Sequence, residues 1–115
     1  MVNHKQGDII YLDFDPQAGH EQKGRRPAIV VSKTSFNARS SVTMVCPITH
    51  TQRPYPTCVA LPEGIQTDGY VLCEQARFLD LHSRNANFVE ATPDGFIKSI
   101  SDIIIALIEV PEADA

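Results

Sequence analysis

Thr92-Pro93-Asp94-Gly95-Phe96-Ile97-Lys98-Ser99-Ile100-Ser101-Asp102-Ile103-Ile104-Ile105-Ala106-Leu107-Ile108 is the stretch that decides the architecture. Apolar residues recur at Phe96, Ile97, Ile100, Ile103, Ile104, Leu107 and Ile108, the spacing of one helical face. Thr92 reads as the N-cap, Pro93 suits the first helical position, and Asp94 complements the positive end of the helix. The pattern predicts one amphipathic helix whose stripe is core. It should end near Val110-Pro111 and leave residues 111–115 as a frayed acidic tail.

Upstream of this helix the chain reads as short strands. Asp8–Phe14 is β-branched and aromatic, and Asp15-Pro16-Gln17-Ala18-Gly19 ends it with turn chemistry. Pro27–Ser32 is apolar on both faces, as a central strand is. Ser35 or Thr34 caps a single helical turn with Phe36 and Asn37. Val42–Thr49 is a third strand, in which Pro47 signals a bulge or an edge. Thr57–Leu61 and Tyr70–Gln75 pair across a long connection, with Ala76–Leu79 continuing the second. Asp80–Arg84 reads as a short helical turn and Asn87–Glu90 as an edge strand. Five to seven short strands and one terminal helix imply a mainly β domain with a C-terminal α-helix, in the form of a small, strongly curved sheet or SH3-like barrel. At 115 residues, 1–115 form a single domain.

Composition narrows the function classes. No apolar run approaches the ~20 residues of a membrane helix, and Met1–Gln6 has no apolar signal stretch, so the expected location is the cytoplasm. Cys46, Cys58 and Cys73 show no CxxC spacing and read as buried reduced thiols. A net charge of −4 argues against indiscriminate coating of nucleic acid. That charge is unevenly spread: residues 1–57 hold seven cations against four carboxylates, and residues 58–115 hold three against ten. A local basic face in the first half is compatible with a phosphate chain.

The residues that carry chemistry lie in Gly19-His20-Glu21-Gln22-Lys23-Gly24-Arg25-Arg26-Pro27. Two glycines let the backbone turn tightly and approach a ligand, and the pre-proline position drives Arg26 into extended backbone at the mouth of a strand. There is no Gly-rich phosphate loop with Lys-Ser/Thr, no HExxH, no GxSxG and no paired Asp set for two metals. Cleavage of RNA by its own 2′-hydroxyl needs a base, an acid for the leaving 5′-oxygen, and donors for the phosphate charge. Glu21, His20 and Arg26 supply those three functions, and Thr49 adds a hydroxyl donor. Lys23, Arg25, Arg53, Tyr55, Gln75 and Arg77 are candidate contacts to single-stranded RNA. The same loop is equally well formed as a solvated hairpin whose surface ion pairs contribute under about 1 kcal/mol each.

Gly7-Asp8-Ile9, Asp13-Phe14-Asp15-Pro16, Gly19-His20-Glu21-Gln22 and Arg26-Pro27 together resemble the opening signature of the MazF/PemK family of toxin endoribonucleases. Phe36-Asn37, Pro47-Ile48-Thr49, Gly69-Tyr70-Val71-Leu72, Glu74-Gln75 with Arg77, and Leu79-Asp80 follow in the family's order. The resemblance implies a homodimer that cleaves single-stranded RNA at short sequences with neither metal nor other cofactor. The products it implies are a 2′,3′-cyclic phosphate and a 5′-hydroxyl, and it implies a cognate antitoxin laid into the RNA groove. It assigns the phosphate role to Arg26, assistance to Thr49, and acid–base candidacy to Glu21 and His20, with Glu74 at an acidic position of the later strand. The PemK branch carries a catalytic arginine two residues before that position, where this chain has Leu72. Two readings of other classes use the same barrel: a non-nuclease toxin like CcdB, and a catalytically dead module that captures an antitoxin-like peptide.

Overall fold

The computed structural model describes residues 4–14 and 24–112. Seven strands alternate with two helices: β1 (Asp8–Asp13), β2 (Arg25–Val30), α1 (Thr34–Asn37), β3 (Thr43–Thr49), β4 (Cys58–Ala60), β5 (Tyr70–Leu72), β6 (Arg77–Leu79), β7 (Asn87–Ala91) and α2 (Phe96–Ile108). The strands form one antiparallel sheet in the order β4-β5-β3-β2-β1-β7, with β6 also pairing β3. The double-sided apolar runs of β1 and β2 have a direct cause: both faces of the sheet are covered. One face packs Ile9, Ile29, Cys46, Ile48, Val71 and Cys73 against Ile100 of α2. The other packs Ile10, Leu12, Phe14, Ala28, Val30 and Val45 against Leu79 and Leu81. The sheet curls, because Arg77 on β6 lies 5.8 Å from the ring of Phe14 just past β1. Those strands are three places apart in the sheet order, or about 14 Å if the sheet were flat.

Several sequence expectations change. Among the described residues no pairing joins β4 to β7, so the hydrogen-bonded path is open where a closed barrel was expected. The expected continuous strand from Tyr70 to Leu79 is broken by a 3₁₀ turn at Cys73–Gln75. Its halves pair with β3 separately, β5 at Ile48 and Thr49 and β6 at Thr43–Val45. Pro47 sits in the gap between them, where its missing N–H deprives the ladder of nothing. It is thus neither on an edge strand nor lost to pairing, since Ala28 stands opposite it on β2.

Asp80–Arg84 is not helical; Leu81–Asn85 form a turn, with Asn85 left-handed at φ 54°. Thr34 does not cap α1 from outside: Lys33 holds the cap position, and the Thr34 hydroxyl accepts the Gln6 N–H.

The terminal helix is present but starts later than expected. Gly95, left-handed at φ 91°, is the residue before it, with no side-chain cap. The Thr92 hydroxyl, expected as the cap, instead donates to the Gly7 carbonyl at 2.7 Å and so ties the end of β7 to the start of β1. The apolar stripe is only partly core. Ile100 is fully buried and Phe96, Ile97, Ile103 and Ile104 pack partly, whereas Leu107 and Ile108 stand exposed at 53% and 74%.

Candidate active site

The mouth of the strands is organised by β2. Phe14 donates its N–H to the Gly24 carbonyl at 2.9 Å, joining the end of β1 to the start of β2. Asp13 pairs with Arg25 and Leu12 with Arg26. Strand alternation then sends neighbouring arginines to opposite faces.

Arg25 faces Tyr11, with its guanidinium 5.1 Å from the ring centroid. It donates to Asp13 Oδ1 at 3.2 Å and to the Asn85 carbonyl at 2.8 Å. Asn85 Nδ2 donates to the other Asp13 oxygen at 2.9 Å. The Asn85 amide, with Arg25, holds the Asp13 carboxyl below its ordinary range. Arg25, a candidate RNA contact, is therefore engaged in a clasp that locks the base of the hairpin to the Leu81–Asn85 turn.

Arg26 lies on the face of Leu12 and Ala28. The register of Ala28 opposite Pro47, continued by two residues, sets Arg26 across from Thr49. Thr49 is buried, and its Oγ1 accepts the Thr51 N–H at 3.2 Å. Arg77, opposite Val45, belongs to this face and reaches toward Phe14. Arg26, Thr49 and Arg77 thus share one face. A recess of about 460 Å³ is lined by Tyr11, Gly24, Arg25, Arg26, Pro27, Ile48 and His50, so that Arg26 borders it while Thr49 and Arg77 do not.

Other candidates are placed elsewhere. Glu74 is exposed on the 3₁₀ turn, where its charge, after burial, helps raise the Cys73 thiol to about 11 and contributes to raising that of Cys46. Neither Glu74 nor Gln75 lines the recess. Arg53 is half-buried: its N–H contacts Cys58 Sγ at 3.4 Å, and its Nε is buried without a hydrogen-bond partner. Tyr55 is 53% exposed in the following turn. His20, Glu21 and Lys23 lie outside the described residues.

Sequence reasoning missed Tyr11, Asp13 and His50. Asp13 and Tyr11 are visible only through their pairing with Arg25, and His50 only because it follows Thr49 at the end of β3. Among the described residues no three His, Cys, Asp or Glu side chains gather as a metal site.

A family model described as "PemK-like, MazF-like toxin of type II toxin-antitoxin system" matches residues 5–108. The chain is 33% identical to Endoribonuclease PemK of Escherichia coli over 100 residues, 84% of this chain and 75% of that protein. It is 34% identical to Endoribonuclease toxin ChpB of Escherichia coli (strain K12) over 111 residues, 91% of this chain and 94% of that protein. Among solved structures, MazF from Deinococcus radiodurans is similar with a TM-score of 0.88 at 34% identity, covering 96% of this chain and 100% of that chain. A chain of the MazE–MazF complex from the same organism matches with a TM-score of 0.83 at 33% identity, over 96% of this chain and 100% of that one.

Proposed function

The chain belongs to the PemK-like, MazF-like toxin family of type II toxin–antitoxin systems, and from that premise we propose that it is a single-domain endoribonuclease toxin cutting single-stranded RNA at short specific sequences. The observation that supports the reading is the sheet register, which carries Arg26, Thr49 and Arg77 on one face, with Arg26 also bordering the recess. A guanidinium and a hydroxyl on one face suit a phosphate that gains charge in the transition state. Glu21 and His20, which lie outside the described residues, are the acid–base candidates for 2′-hydroxyl attack. The products are then a 2′,3′-cyclic phosphate and a 5′-hydroxyl, and no step requires a metal.

The position of the PemK-branch arginine is closed to polar chemistry in this chain, because Leu72 is fully buried in β5. That favours the division of labour built on Arg26 and Thr49, with Arg77, Arg53 and Tyr55 contacting the RNA chain. Arg25 adds positive charge at the start of β2, and Lys23, outside the described residues, is a further candidate RNA contact. We carry the SH3-like barrel as the fold, supported by the curl that brings Arg77 to Phe14.

Exposed Ile105, Leu107 and Ile108 at the end of α2 supply an apolar surface for a homodimer. The relatives' MazE–MazF assemblies support a cognate antitoxin that blocks the same groove and relieves inhibition of translation and growth. No helix among the described residues is long and apolar enough to cross a membrane, and the working location is the cytoplasm, where the RNA is.

Purified protein incubated with RNA in EDTA should yield fragments ending in cyclic phosphate. Arg26→Ala should lose cleavage by several orders of magnitude with its fold intact, and Thr49→Ala about 10²-fold. Intact RNA after long incubation with the wild-type protein would sink the assignment.

A further inference from the structure

A cavity of about 670 Å³ lies between His4, the segment after α1 and the Leu81–Asn85 turn. Thr43, on its wall, precedes Thr49 by six residues on β3, or about 20 Å along the strand. The cavity shares no lining residue with the recess that Arg26 borders.

Its polar lining is held in place yet unsatisfied. Asn37 Nδ2 donates to the His4 carbonyl at 3.0 Å and to the Ser32 carbonyl at 3.1 Å, which pins the His4 backbone to the wall. His4 and Thr43 are each only 8% exposed. Among the described residues, neither the His4 ring nor the Thr43 hydroxyl has a hydrogen-bond partner. Their polar atoms are not sealed in the core either, since only Arg53 Nε is both sealed and unbonded among the described side chains. Groups so placed are satisfied by water or by what displaces it.

The charge of the lining selects the ligand. Among the described residues no lysine or arginine lines the cavity, so a phosphate finds no counter-charge there. Its one carboxylate, Asp80, already accepts the N–H groups of His82 and Ser83 at 3.1 and 3.4 Å, and a lone engaged carboxylate holds a cation poorly. Burial pushes the His4 imidazole below its ordinary value against the opposing pull of Asp8, so the ring is neutral, with one donor and one acceptor. Leu81 and Ala86 add an apolar wall, and the exposed His82 adds an aromatic ring. A neutral planar ring with donors and acceptors on its edge matches this set, and the volume is that of a small-molecule site.

We propose that the cavity is a nucleobase-binding site, in which His4 and Thr43 hydrogen-bond the edge of the base and Leu81 and Ala86 cover its face. The base is carried by a free nucleoside or by a nucleotide of a bound chain well away from the cleaved bond. Binding here requires no cleavage, so the site stands apart from the ribonuclease function.

The test is a heteronuclear NMR titration of the full chain with adenosine, guanosine, cytidine and uridine. At least one should shift the amide signals of Thr43, Leu81 and Ala86 with a Kd below about 1 mM. Thr43→Val, which keeps the shape and removes the hydroxyl, should weaken that binding about 5–10-fold, and His4→Phe at least as much, with circular dichroism spectra like that of the wild type. A single-stranded oligodeoxyribonucleotide, which lacks the 2′-hydroxyl and is not cleaved, should displace the nucleoside if the base belongs to a bound chain and leave it in place if the ligand is free; either result supports the site. No shift at these residues with any nucleoside at about 10 mM overturns the proposal. So does binding that both substitutions leave unchanged.

Discussion

Gly69→Ala tests whether the wall of the site depends on one missing methyl group. Gly69 has φ +126°, which side chains of L-residues rarely adopt, and a Cβ built there would lie 2.5 Å from the Thr49 carbonyl oxygen. That is about 0.9 Å short of the 3.4 Å where ordinary contact begins, and the obstacle is backbone rather than a soft side chain. The positive φ costs roughly 1–2 kcal/mol. Relief of the clash must push Thr49 against its own pairing with Tyr70, for a total of about 2–4 kcal/mol.

Gly64→Ala is the control, since it has φ +88° with nothing within 4 Å of the added methyl and loses only the conformational part. At roughly 4 °C per kcal/mol, melting by circular dichroism should fall about 4–8 °C for Gly64→Ala and about 8–16 °C for Gly69→Ala. Because Thr49 moves, Gly69→Ala should also lose about 10²-fold in RNA cleavage when assayed below its melting point, whereas Gly64→Ala keeps wild-type turnover. Equal melting losses for the two variants would refute the backbone-clash argument. Unchanged cleavage by Gly69→Ala would refute the claim that Thr49 must be held in place.

Three further outcomes follow from other parts of the molecule. For Glu90, burial acts upward but is outweighed by the Thr67 hydroxyl and the Gln66 and Thr67 amides, so its carboxyl is depressed, as is that of Asp13 through Asn85 and Arg25. A depressed carboxylate contributes stability that is present above its unfolded value near about pH 4 and lost as pH falls through the folded value. Asp13→Asn with Glu90→Gln should therefore lower the plateau of melting temperature above about pH 5 while leaving the acid end nearly unchanged, which flattens the acid limb; an unaltered limb counts against both networks. For the homodimer proposed above, Leu107→Glu should shift dimer to monomer in sedimentation without lowering monomer helicity, and a dimer of unchanged stability rules out the end of α2 as interface. The Cys73 thiol, pushed to about 11 mainly by burial, is only about one part in a thousand thiolate at pH 8. Its alkylation by iodoacetamide should be at least about a hundredfold slower than after unfolding in urea, and rapid labelling of the native chain would contradict the burial.

Legibility of the fold tracked how local its causes are. β1, β2 and β3 could be read because sheets covered on both sides impose runs of apolar, β-branched residues wherever they occur. The start of α2 could not be read, because the cap depends on where the Thr92 hydroxyl goes, and it goes to Gly7, 85 residues away. The break at Cys73–Gln75 has the same character. Nothing in Tyr-Val-Leu-Cys-Glu-Gln-Ala-Arg forbids one strand; the interruption lies where β3 changes partner from β6 to β5, beside Pro47.

The site divides along the same line. The pre-proline restriction aims Arg26 from its own sequence neighbourhood, and alternation alone assigns it and Arg25 to opposite faces. What alternation cannot supply is the partner on each face. Arg25 is bound by Asp13 and by Asn85, 12 and 60 residues away, so its charge serves the hairpin base first. Arg26 is set across from a hydroxyl that emerges only when β3 is registered on β2. Two adjacent arginines thus acquire different chemistry because a two-residue period places one in a clasp with Asp13 and Asn85 and the other on the face of Thr49. Exchanging their roles would take a one-residue slip of β2, which would also turn Ala28 and Val30 out of one core face and Ile29 out of the other. The register that buries the core is therefore the register that aims Arg26, and variants that loosen Ala28 or Val30 should lose cleavage before they lose the fold.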